Sequence, residues 1–78
     1  MKTMTCKQLG GACDEAFQAD SFEEIGGLSR SHAIEMFQKE DPAHIQAGEK
    51  MKELMQDPEA MKQWMQLRRA EFDALADD

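Results

Sequence analysis

Gly10-Gly11 limits what this chain can fold into more than any other pair of residues. The glycines lie between two stretches in which apolar and polar residues alternate. Met4 and Cys6 fall on one side of the first stretch, and Cys13, Glu15, Phe17 and Ala19 on one side of the second. A period of two is that of a half-buried strand, and Leu9-Gly10-Gly11 can supply the positive φ angles of a tight reversal. A β-hairpin over residues 1–19 is therefore expected. With its register centred between Leu9 and Gly10, Cys6 and Cys13 stand opposite each other, their Cβ atoms about 5 Å apart. Both thiols then project from the same face.

The remainder reads as helix. Ser21 followed three residues later by Glu24 is a capping box, and the acids after Ser21 suit the positive end of a helix dipole. A helix over 21–39 would place Ile25, Leu28, His32 and Met36 on an inward stripe, with Phe22, Ala33 and Phe37 beside it. Gly26-Gly27 cost this helix about 1 kcal/mol each relative to alanine, which calls for a kink or for another element packed close by. Asp41-Pro42 and Asp57-Pro58 each put a side-chain acceptor at an N-cap and a proline at the first helical position. They predict helices over 42–56 and 58–75. Ile45, Gly48, Met51, Leu54 and Met55 face inward on the former, and Met61, Trp64, Met65, Arg68, Phe72 and Leu75 on the latter. The fold class is thus α+β: an N-terminal hairpin packed on a helix, followed by a hairpin of two amphipathic helices.

Seventy-eight residues form one domain, near the size at which a single apolar core gives only marginal stability. A staple or a partner is expected to help. The helical stripes exceed what a small hairpin covers, so a homo-oligomer is expected, and the Met-rich surfaces would also suit a partner helix. No particular protein partner is indicated. A formal charge of −7 disfavours nucleic acid and anionic membrane as partners, because both present phosphates. No stretch has the roughly 20 apolar residues of a membrane span, and Met1–Cys6 has no apolar signal core. A cytoplasmic location is the expectation, and there thiols stay mostly reduced.

No phosphate loop, Ser/His/Asp grouping or His-Glu-x-x-His motif is present, so no catalysis is expected. The donors that could hold zinc or another transition metal are Cys6, Cys13, His32 and His44. A closed structural site needs four such thiolate and imidazole ligands. The six-residue separation of the cysteines is wider than the usual two to four, and buried core thiols or a redox pair remain alternatives. His32 lies on the inward stripe, where the sulfur-bearing face of the hairpin should pack. His44 is in the first turn of its helix, where a surface position beside the cap explains it.

Met1-Lys2-Thr3-Met4-Thr5-Cys6, Leu9-Gly10-Gly11, Cys13-Asp14 and the helical Ser31-His32-Ala33 together resemble a bacterial and archaeal domain-of-unknown-function family of predicted small metal-binding proteins. The resemblance spans roughly residues 1–40, and the later helices match a longer subset. It implies a hairpin plus helix with Cys6, Cys13 and His32 as metal ligands. Many members carry a second histidine one helical turn on, where this chain has Met36.

Overall fold

The structure is a computed structural model that describes residues 1–78. Two strands, β1 (Lys2–Thr5) and β2 (Ala16–Ala19), are followed by three helices, α1 (Phe22–Gln38), α2 (Pro42–Met55) and α3 (Pro58–Ala74). The strands pair antiparallel, so the architecture is the expected α+β arrangement of hairpin and helices.

The register differs from the expected one. Met4 pairs with Phe17 and Thr5 with Ala16, which puts Cys6 level with Glu15 rather than Cys13. Cys6 leaves the strand with helical backbone angles and opens a 3-10 turn over Lys7–Leu9. The Cys6 carbonyl accepts the N–H groups of both Leu9 and Gly11, at 3.1 and 2.8 Å, so the loop coils around it. That coil uses more residues than a two-residue turn and slides the second strand by two. A slip of two preserves the face. Met4, Phe17 and Ala19 accordingly point inward together, as the alternation requires.

The three helix starts follow the capping chemistry. Ser21 accepts from the Glu24 N–H, Asp41 from that of His44 and Asp57 from that of Ala60. α1 passes through Gly26-Gly27 without a break, and a Cβ at either glycine would have no atom within 4 Å. These glycines neither kink the helix nor admit a neighbour; they face solvent. α1 ends through Glu40, which adopts φ 58°, while the Asp41 N–H bonds back to the Met36 carbonyl. This is a left-handed helix stop at a position where glycine would be the unstrained choice.

The apolar core is small. Met4, Leu9, Phe17, Ala19, Phe22, Ile25 and Phe72 are buried with Cys6, and His32 and His44 are the only buried polar residues. Phe22 meets Phe72 edge to face at 6.0 Å, closing the far end of α3 onto the hairpin and the start of α1. Lys2 lies over the Phe72 ring and Arg69 over Phe22, and Arg69 also pairs with Glu23. Several residues expected inward are not covered within the chain: Leu28, Ile45, Met55 and Met65 are exposed, Met55 by 62%. Coverage is uneven along the stripes: Phe22 at the start of α1 and Phe72 near the end of α3 are buried, whereas Leu28 and Met65 between them are not.

Candidate metal centre

The coil after β1 determines where the first sulfur sits. Gly11 lies against Cys6 so closely that a Cβ there would overlap the sulfur and crowd the Cys6 carbonyl. Only glycine permits this approach. The chain then returns through Ala12 and Cys13, with the Cys13 carbonyl accepting the Lys7 N–H at 2.9 Å. The two cysteines are thus held by a loop, not by the strand pairing expected of them, yet their sulfurs still converge.

Two helices bring nitrogen to these sulfurs. His32, on the inward stripe of α1, places Nε2 3.2 Å from Cys13 Sγ. His44, in the first turn of α2, places Nε2 3.6 Å from Cys6 Sγ. The two imidazoles lie edge to face at 5.2 Å. One ligand atom from each of the four residues falls within a group no wider than 4.8 Å. Around zinc, with sulfur at 2.3 Å and nitrogen at 2.0–2.1 Å, neighbouring S and N ligands are about 3.5 Å apart. The two S···N distances bracket that spacing.

The other ring nitrogens are also committed. His32 Nδ1 lies 2.7 Å from Glu15 Oε2, and His44 Nδ1 lies 2.6 Å from Asp41 Oδ2. When a carboxylate accepts the Nδ1 proton, the neutral tautomer has its lone pair on Nε2, the atom that faces the sulfurs. Asp41 therefore has two tasks, accepting both the backbone N–H and the ring of His44. Glu15 is similarly placed: its carbonyl accepts the Cys6 N–H and its side chain orients His32.

Backbone dipoles support negative sulfur. Burial pushes the Cys6 thiol up, but the amides of Cys13 and Ala12, together with His44 and Cys13, outweigh it and lower its pKa. The Glu15 amide favours the Cys13 thiolate, but desolvation and the adjacent Cys6 and Glu15 charges win, and the Cys13 pKa is raised. With no cation between them, two neighbouring sulfurs resist both being ionised. The hydrogen bond that His44 donates to Asp41 raises the His44 pKa against the opposing effect of burial, and His44 lowers that of Asp41.

Cys6, Cys13 and His32 are brought together. His44, expected at the surface, is only 4% exposed and joins them. Its sequence signal is Asp41-Pro42-Ala43-His44, in which the N-cap carboxylate is three residues before a histidine and can reach its ring as well as its amide. Neither cysteine is in a disulfide. No helix is long and apolar enough to cross a membrane. No protein-family model, curated protein or solved structure matches the chain.

Proposed function

We propose that the chain binds one transition-metal ion of the zinc class through Cys6, Cys13, His32 and His44, and that the ion acts as a structural staple. The observation that carries this reading is the paired orientation of the histidines: each Nδ1 is held by a carboxylate while each Nε2 faces a sulfur. Packing alone does not call for that arrangement twice. Two sulfurs and two imidazoles suit zinc, whereas magnesium and calcium favour oxygen donors. Four protein donors complete a tetrahedron and leave no open position for a substrate, which supports a structural rather than a catalytic role.

The resemblance to predicted small metal-binding proteins agrees with this reading and gains a fourth ligand. The nitrogen that Met36 cannot provide comes from His44 on α2. The ion would tie the cysteine loop, α1 and α2 together where the apolar core is thinnest.

Metal analysis of untagged protein tests the proposal, alongside a Cys6→Ser/Cys13→Ser variant. One zinc-class ion per chain, lost in the variant, is the expected result. Sub-stoichiometric metal in both, with the chain folded, would overturn it.

A further inference from the structure

A cleft of about 400 Å³ opens between the cysteine loop, α2 and α3. Its size is at the small end for small-molecule sites. None of the four metal-ligand candidates lines it, although Gly10, Gly11 and Ala12, which lie between the two cysteines, form one wall. Ala43 and Ala47 on α2 keep the space open through their short side chains. Trp64 forms the far wall, close enough to the loop that a Cβ on Gly10 would come within 3.1 Å of the indole and 2.7 Å of Met51 Cε.

The charge at this cleft runs against that of the chain. Asp and Glu outnumber Lys and Arg by 16 to 9, yet no acid lines the cleft and Lys50 is its one charged residue. Lys50 forms no ion pair, unlike Arg68 and Arg69 on α3. Gln46 supplies the one other polar side chain. An indole wall and an unpaired ammonium group in one cleft suit a ligand with a flat apolar body and one acidic group.

We infer that this cleft binds a small amphipathic carboxylate, its apolar ring against Trp64 and Met51 and its carboxylate at Lys50. None of the four metal-ligand candidates lines the site, although it shares the loop between the cysteines and α2 with the metal centre. Lys50 is the one charged residue of the lining, so a ligand without a negative group loses that interaction.

The test uses the ¹⁵N-labelled 78-residue chain loaded with zinc, with sodium 2-naphthoate as probe and neutral 2-naphthamide as control. Trp64 is the only tryptophan, so its indole N–H gives a single assigned signal. Naphthoate should shift that signal and the Gly10 and Gly11 amides saturably. Naphthamide should bind roughly fivefold more weakly, the ratio that about 1 kcal/mol of partly screened charge interaction provides. Lys50→Gln should bring naphthoate down to the amide's affinity with metal content unchanged, and Ala47→Leu should remove binding of both. Absence of saturable shifts at millimolar naphthoate, equal affinity for acid and amide, or shifts spread over other faces would overturn the inference. A chain that proves folded but metal-free is titrated in the same way, so failure of the metal reading does not decide this one.

Discussion

The two ends of one continuous core are held by different chemistry. At one end, Met4, Phe17, Ala19, Phe22, Ile25 and Phe72 form an apolar cluster between the hairpin, the start of α1 and the end of α3, which Cys6 and Leu9 join and against which Cys13 packs. At the other, Cys6, Cys13, His32 and His44 occupy the space where the cysteine loop meets α1 and α2. The first cluster excludes water and needs nothing else, because burial of apolar area stabilises it by about 25 cal/mol per Å². The second holds polar groups whose desolvation is costly unless a partner satisfies them. A chain of this size can afford one self-sufficient core, and its second anchor is proposed to depend on a cation.

The largest expected effect comes from removing that cation. Structural zinc sites contribute an apparent 10–16 kcal/mol, about as much as the whole stability of a small domain. Chelation at neutral pH should release amide protection first in the cysteine loop and α2, and last in β1, β2 and the start of α1. Hydrogen exchange followed by mass spectrometry would show this order, and uniform loss would mean that the two ends are one cooperative unit.

Phe72→Ala should act on the other end. Truncating a buried aromatic costs about 3–5 kcal/mol, and the unfolding midpoint should fall in metal-loaded and metal-free protein alike. A loss confined to the loaded form would break the distinction between the ends.

Asp41→Asn keeps a helix cap but removes the carboxylate that orients His44. Loss of such an outer partner typically lowers metal affinity 10- to 100-fold, measurable by competition with a chromophoric chelator. Wild-type affinity would show that Asp41 only caps the helix.

The pH dependence should differ in sign between the loaded and unloaded forms. In the metal-free chain the folded-state pKa of His44 is raised, so its contribution is full below the unfolded-state value and is lost as pH rises through the folded-state value. Asp41, whose pKa is lowered, contributes above its unfolded-state value and loses that contribution as pH falls through its folded-state value. Metal binding requires neutral imidazole and thiolate, so affinity should rise with pH over the same range, which begins at the ordinary histidine value and extends upward. Denaturation of both forms across that range would show the opposed slopes, and parallel slopes would contradict a metal bound at His44.

The smallest effects concern backbone alone. Gly26→Ala and Gly27→Ala should each stabilise exposed helix by about 0.5–1 kcal/mol. Glu40→Gly, relieving a left-handed residue, should also stabilise by roughly 1 kcal/mol. Chemical denaturation would detect all three, and none should alter metal content.

Local signals made the elements legible. The alternation around Gly10-Gly11 and the caps at Ser21, Asp41 and Asp57 mark the hairpin and the helix starts, because each depends on neighbouring residues only. The hairpin register was not legible, since the coil around the Cys6 carbonyl comes from hydrogen bonds that alternation does not encode. Exposure of Ile45, Met55 and Leu28 was likewise hidden, because helix periodicity gives a face but not which neighbour, if any, covers it. At the site, His32 could be found from its stripe, whereas the sulfurs converge through the coil of the loop and not through the strand parity that suggested it. His44 could not be found from a helix pattern, because its burial depends on where the first turn of α2 docks.

X-ray absorption at the metal edge of zinc-loaded, untagged protein tests the central claim most directly. The account predicts two sulfur ligands at about 2.3 Å and two imidazole nitrogens at about 2.0 Å, in a four-coordinate shell. A shell of oxygen ligands, or one without both sulfurs, would contradict it.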